Sequence, residues 1–355
     1  MAEGVVMTAG PSAADSRRMT SREVAARAGV SQATVSNVLN RPHLVAEVTR
    51  ERVRAVIEEH GFAVHDGARR LRAGRSTTVA VSVLDTGNPF WGELMRGVSD
   101  VAADHAFVAM VGSSNESEEK EVQFLHAIRE QRVAAVLAAP VDPSLDLLRQ
   151  IDAEGSPVVL LDYRDPSASL PFVRVDDVSG AAAATSHLLE LGHERIAMIN
   201  GPHAIQWCAD RWRGALEAVS EAGLDPAVAL TEVPVRRLIA SEGERAMTTL
   251  LDAARREVTA VVCANDLLAL GALRAAHHCG VAVPRDLSLV GYDDVDFAAM
   301  LSPALTTVRQ QPYLLGRAAM AIALGRLKDP DGSRDQVHPV FVPEFVPRES
   351  TAPRV

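Results

Sequence analysis

The chain has 355 residues, about twice the usual domain size, so two or three folded units are expected. Its 47% hydrophobic content contains no uncharged apolar run of the roughly 18 to 20 residues that a bilayer span needs, which excludes an integral helical membrane protein. Cys208, Cys263 and Cys279 are odd in number, far apart and without CxxC or Cys/His spacing, so neither a disulfide framework nor a zinc module is expected, and a reducing cytoplasm fits.

The formal charge of −10 argues at first against a nucleic-acid partner, whose phosphates require basic side chains. Dividing the chain reverses that inference. Residues 1–77 carry 12 basic against 8 acidic side chains, and residues 78–355 carry 24 against 38, so a basic head of +4 precedes an acidic body of −14.

In chain order, residues 1–19 are rich in Ala, Gly and Ser, lack periodicity and lack the apolar core of a signal peptide; they read as a disordered tail, with Met1, Met7 and Met19 as alternative starts. Residues 20–64 read as three short helices. Thr20 and Glu23 form a capping box, Val24, Ala25 and Ala28 make a narrow apolar face, and Gly29 stops the first helix. Ser31 caps the second, with Val35, Val38 and Leu39 inward and Gln32, Ala33, Ser36 and Asn37 outward. Thr49 starts the third, with Val53, Val56 and Ile57 inward and Gly61 ending it. Residues 65–77 are a basic connector too short to fold alone.

From 78 to 350 the chain alternates apolar runs with amphipathic segments. Val79–Leu84, Ala106–Val111, Val133–Ala138, Val158–Leu161, Ile196–Ile199, Ala260–Cys263 and Leu287–Val290 read as buried parallel strands. Gly92–His105, Ser179–Leu191, Arg211–Ala222 and Asp266–Cys279 read as helices. So many βα units exceed one sheet, which predicts a doubly wound α/β body in two lobes, with ligands at strand carboxyl ends near the crevice between them. Residues 351–355 read as a tail, and the chain end carries no leucine heptads.

Several chemistries are absent from the pattern. His277, His278 and Cys279 are consecutive on a helix, so their side chains diverge and no metal site is expected. There is no GxGxxG, GxxxxGKS/T or GxSxG, no catalytic base cluster, and hence no expected cofactor and no expected enzyme activity.

The segment Glu23 to Asn40 has helix-turn-helix spacing, with Gly29 permitting the turn and Ser31 opening the second helix. It resembles the N-terminal domain of lactose/galactose-repressor (LacI/GalR) family regulators, and the resemblance continues to about Arg348 through Asn88-Pro-Phe-Trp91, Leu191-Gly-His193, Arg211-Trp-Arg-Gly214, Cys263-Ala-Asn265-Asp266, Gly291-Tyr-Asp293-Asp294 and Leu305-Thr-Thr307. It implies a small all-α helix-turn-helix DNA-binding domain plus hinge helix, joined to a two-lobed α/β periplasmic-binding-protein-like (type I) effector domain.

On the second helix, Gln32 and Asn37 are the expected readers, since amides can bond adenine N6 and N7 bidentately; Ala33 offers methyl contact, and Ser31, Thr34 and Ser36 suit phosphate contacts. In the connector, Leu71 stands alone among Arg69, Arg70, Arg72 and Arg75. Packing on the next domain is one reading of it. The resemblance implies a hinge helix that folds on DNA and wedges this leucine into the minor groove while Arg69 and Arg72 meet phosphates. Val64 and His65 stand where the family usually has Pro-Asn, and Gly67 follows, so the hinge is expected to contribute little until DNA orders it.

Asn265 ends a strand and Asp293 follows another, which places both at the crevice, with Asp266 as the expected helix cap. The resemblance implies effector binding by Phe90, Trp91, Asp162, Arg211, Asn265, Asp293 and Gln310. A carboxylate accepts from neighbouring hydroxyls, an arginine donates from a planar fork, and an aromatic face covers a ring. The competing readings are turn residues for Asp162 and Asp293, core for Phe90 and Trp91, and a surface charge beside Asp210 for Arg211; Trp207, in the loop before Arg211, reads first as packing and only second as a ligand contact. Together these readings predict a cytoplasmic repressor that binds palindromic double-stranded operator DNA as a homodimer and answers to a small-molecule effector, a sugar first and a purine or nucleoside second. The alternatives from other classes are a solute-receptor-type binding protein and an α/β enzyme such as a nucleoside or sugar hydrolase.

Overall fold

The computed structural model describes residues 19–60, 76–141, 144–167, 169–254, 257–329 and 338–354. The chain divides into two compact units, residues 1–75 and 76–355.

In the first unit, α1 (Ser21–Ala28) is opened by the capping box of Thr20 and Glu23 and closed by Gly29 at φ +62°, the left-handed conformation that glycine adopts without strain. Ser31 caps α2 (Gln32–Asn40) by accepting from the Thr34 N–H. After a 3-10 turn, α3 runs over Glu47–His60, two residues ahead of the Thr49 start that the sequence suggests. Val24, Ala25, Ala28, Val35, Val38 and Val53 form the core, with Val56 and Ile57 packed against it. Leu39 is not part of it: at 37% exposure it lies on the outer side of the last turn of α2. Gly61 and the whole connector, including Val64, His65, Gly67, Arg69, Leu71 and Arg72, fall outside the described residues, as do residues 1–18.

The second unit opens with β1 (Thr78–Val83), α4 (Pro89–Asp104), β2 (Val108–Ser113), α5 (Glu118–Glu130), β3 (Ala135–Ala138), α6 (Leu145–Ala153), β4 (Val158–Leu161) and β5 (Phe172–Val175). It continues with α7 (Asp177–Glu190), β6 (Ile196–Asn200), α8 (Gln206–Glu221), α9 (Pro226–Ala229), β7 (Leu230–Pro234), α10 (Ala240–Ala254), β8 (Ala260–Cys263), α11 (Asp266–His278) and β9 (Ser288–Val290). It closes with β10 (Thr307–Arg309), α12 (Pro312–Lys328), β11 (Val340–Phe341) and β12 (Glu344–Val346). One sheet has the order β11-β5-β4-β3-β1-β2 and the other β7-β6-β8-β9, every pairing parallel; β10 and β12 form a separate antiparallel pair.

Each sheet is the centre of a lobe. Central strands are buried on both faces: Val79, Val81 and Val83 of β1 join one apolar cluster and Ala80 joins another, which is why these runs read as continuously apolar. The second predicted strand departs from that expectation. β2 is an edge strand, with Val108 64% and Val111 45% exposed. The chain passes from the first sheet to the second after β5, returns through β10 and α12 to add β11 beside β5, and comes back to pair β12 with β10. Thr351 to Arg354, set apart as a tail in the sequence reading, are bonded into the second lobe: the Ala352 N–H donates to Ser288 Oγ and the Arg354 N–H to Leu191 O.

Candidate functional site

On the first unit, the buried Val35 and Val38 fix which way α2 faces. Gln32, Ala33 and Asn37 are exposed and Thr34 and Ser36 half-buried, so one short helix turns a polar, mostly uncharged face to solvent. Gln32 Nε2 donates to Ser21 Oγ at 2.8 Å, tying the first turn of α2 to the start of α1, while Ser31 Oγ and Thr34 Oγ1 lie 2.9 Å apart.

In the second unit, the polar residues singled out in the sequence gather at the carboxyl ends of the parallel strands. Asp162 follows β4, Asp177 opens α7 after β5, Asn265 follows β8, and Asp293 lies just beyond β9. Arg211 reaches them from α8. It is 1% exposed, not a surface charge; Asp210 beside it pairs instead with Arg213 and Arg174. Arg211 Nε donates to Asp177 Oδ1 at 2.7 Å, and one terminal nitrogen donates to Ala264 O and lies 3.8 Å from Asp293 Oδ1. The guanidinium also rests 3.5 Å from the Tyr292 ring centre and 4.2 Å from that of Trp207.

Asp293 holds this cluster to the first lobe. Its carboxylate accepts from Asn88 Nδ2 at 3.1 Å and from Gln310 Nε2 at 2.7 Å. Asn88 is also the N-cap of α4, accepting from the Phe90 N–H. Asp162 and Asp293 both adopt positive φ, +50° and +115°, so the backbone turns sharply where their side chains enter the cluster. Asp162 accepts from the Val175 N–H at 3.3 Å.

Burial raises the Asp162 pKa to about 8, helped by the neighbouring Asp177, and burial raises Asp293 to about 6 although Arg211 pulls it down. Asp177 is also raised by burial, with Arg211 opposing. Burial works against the Arg211 charge, but Asp177, Tyr292, Asp293 and Asp162 more than offset it and keep the guanidinium charged.

The capping roles differ from those expected. Asn265, not Asp266, is the N-cap of α11: its Oδ1 accepts from the Leu268 N–H at 2.8 Å and its Nδ2 donates to Leu238 O at 3.0 Å. Asp266 lies inside the first turn, fully buried, accepting from the Val295 N–H and Thr307 Oγ1, because the crossover segment supplies two donors there. Phe90 and Trp91 are packed edge to face in the first turn of α4 and belong to the core. Sequence reasoning missed Asp177. The signal was the Asp176-Asp177 pair: Asp176 takes the cap by accepting from the Ser179 N–H, which leaves the second carboxylate for Arg211.

Residues 20–64 match the helix-turn-helix family described as bacterial regulatory proteins, lacI family, and residues 185–351 match the periplasmic binding protein-like domain. The HTH-type transcriptional repressor CytR of Escherichia coli (strain K12) is 33% identical over 315 residues, spanning 87% of this chain and 90% of that protein. The chain belongs to the lacI family of bacterial regulatory proteins.

Among solved structures of this family, a regulator from Enterococcus faecium with bound ribose superposes with a TM-score of 0.71 at 28% identity, covering 78% of this chain and all of that one. The lac repressor dimer bound to operator and the anti-inducer ONPF gives 0.79 at 25% identity, covering 95% and 100%. As a member of this family, the chain is a DNA-binding transcriptional regulator of helix-turn-helix type, with a type I periplasmic-binding-like body.

Proposed function

We propose that the chain is a ligand-responsive repressor that binds a palindromic operator as a homodimer and acts in the cytoplasm. The observation that carries the reading is the outward face of α2. Its first turn is fixed by the Ser31 cap and its inner side by Val35 and Val38, which leaves Gln32, Ala33 and Asn37 to meet base edges while Ser31, Thr34 and Ser36 meet phosphates. In a two-fold dimer each protomer presents one such helix to one half-site. The connector residues Arg69, Leu71 and Arg72 are proposed to engage the minor groove and flanking phosphates.

The second role falls to the cluster around Arg211. Asp162, Arg211, Asn265, Asp293 and Gln310 stand where ligands bind doubly wound folds, and Phe90 and Trp91 back them. A sugar is the favoured effector class: carboxylates and a planar guanidinium suit neighbouring hydroxyls, and the similar regulator from Enterococcus faecium holds ribose. Effector and operator affinities are then linked, each changing the other by the same factor.

Footprinting of the full-length protein on DNA tests the reading. Protection of a two-fold symmetric site, with affinity falling steeply as salt rises, is the expected result; binding that ignores salt, or no protection at all, would remove it.

A further inference from the structure

The cleft contains more acid than the sequence reading gives it. Glu116 follows β2 in the first lobe, and its backbone N–H donates to Leu84 O, beside the loop that carries Asn88. Its side chain crosses to the second lobe, where Oε1 accepts from the Leu238 N–H at 3.1 Å. Leu238 O in turn holds Asn265, so Glu116 belongs to the same crevice. Arg237, Asp85 and Glu242 are the charged groups that face it.

The buried atoms of this crevice without a hydrogen-bond partner among the described residues include Glu116 Oε2, Gln310 Oε1 and the Tyr292 hydroxyl. The first two are acceptors, and the hydroxyl lies toward Asp177. The orientation of Gln310 follows from its other end, since its Nε2 must face the Asp293 carboxylate, and the side chain is 5% exposed. A buried acceptor left unpaired is costly, and a donor arriving with a ligand removes that cost. Arg211, the one buried arginine or lysine among the described residues, is already committed to Asp177, Ala264 O and two aromatic rings. With Arg237 beside Glu116 there are two basic groups, and against them stand Asp177, Asp293 and Glu116, while burial keeps Asp162 protonated up to about 8.

We infer that the ligand of this cleft is uncharged or cationic and rich in hydroxyl or amino donors, that phosphorylated forms are rejected, and that Glu116 is one of its contacts. The inference rests on the cleft being the effector site. The phosphate group of a monoester adds acceptor oxygens and negative charge where acceptors already stand unpaired and carboxylates outnumber the basic groups, so like charges and unpaired oxygens oppose it twice.

Isothermal titration of the full-length protein with ribose, adenosine and glucosamine, each beside its 5- or 6-phosphate, tests the class. At least one unphosphorylated compound binds, and its phosphate binds at least 100-fold more weakly. A phosphate that binds as well as its parent compound overturns the inference while leaving the cleft an effector site; no binding by any of the six overturns the sugar-or-nucleoside reading and this inference with it. Glu116→Gln keeps an oxygen for the Leu238 N–H. Against the compound that binds, this variant loses about tenfold or more in affinity and narrows the gap to the phosphate, and an unchanged affinity and gap would reduce Glu116 to a link between lobes.

Discussion

Arg211 and Asp177 meet as a buried ion pair because Gly214, one turn along α8, lets that helix lie directly against the backbone of α7. A Cβ at Gly214 would collide with Val178 O, the residue next to Asp177. The Arg211-Trp-Arg-Gly214 motif thus encodes a reach and the close approach that makes the reach possible. Asp177 and Asp293 then share one guanidinium, and the stability of the second unit depends on the base staying in place.

Arg211→Ala should therefore destabilise the second unit by about 3–5 kcal/mol, the usual cost of removing one partner of a buried pair, because Asp177 loses its donor and Asp162 and Asp293 lose their nearest positive charge. Asp177→Asn leaves no uncompensated carboxylate and should cost less. Urea denaturation followed by circular dichroism ranks the two; an Arg211→Ala protein as stable as the parent would mean that the carboxylates simply take up protons.

Gly214→Ala tests the approach rather than the charge. The added methyl must push α8 away from Val178, an overpacking that costs about 1–3 kcal/mol and lengthens the Arg211–Asp177 contact. A thermal melt of the variant unchanged from the parent would show that the two helices can separate without penalty.

The raised carboxyls predict how stability follows pH. Asp162, at about 8, is protonated in the fold at pH values where the unfolded chain has already released that proton. Unfolding thus releases a proton, and stability falls as pH rises from the ordinary carboxylate range through about 8. Asp293, at about 6, adds to the lower part of that fall, and Glu121, raised by burial to about 7 against the opposing pull of the Val141 N–H and Ser144, adds to it from outside the cleft. Asp162→Asn should flatten the upper part, leaving stability near that of the parent at pH 5 and higher at pH 8.5. Denaturant midpoints at the two pH values measure it, and a variant with the parental slope would assign the fall elsewhere.

What the sequence disclosed follows the range of the forces involved. Caps and turns are local, so Thr20, Glu23, Gly29 and Ser31 could be read directly and take the predicted geometry. Central strands, buried on both faces, announce themselves as apolar runs; Phe172–Val175 and Glu344–Val346, short and interrupted by Arg174 or preceded by Pro343, do not, since their pairing is supplied by distant chain. The crevice residues could be placed at strand ends, but which carboxylate takes Arg211 depends on helix packing across 34 residues of sequence. Asp177 was invisible for that reason. Asp266 was given the cap because Asp and Asn are both good caps, and only the Val295 N–H and Thr307 hydroxyl, brought in by the crossover, draw its carboxylate inward.

The reading helix gives the last prediction. Asn37 is exposed on α2 and lies far from the cap, so Asn37→Ala should leave the fold intact and, by removing a proposed base reader, weaken binding to the cognate operator by about 1–3 kcal/mol with the salt dependence unchanged. Ser31→Ala behaves differently. It removes the acceptor of the Thr34 N–H, at a cost of about 1 kcal/mol to the small unit, and with it the proposed phosphate contact, so binding should weaken on all sequences alike. Gln32 stands between the two, since one N–H of its Nε2 is held by Ser21 Oγ, which leaves the second N–H and Oε1 for a base edge and fixes their direction. Ser21→Ala releases Gln32, and a changed base preference in this variant with an unchanged salt slope would place Gln32 among the readers. Titrations on cognate and scrambled operators at two salt concentrations separate these cases, and equal losses for Asn37→Ala on both DNAs would take that residue off the list of readers.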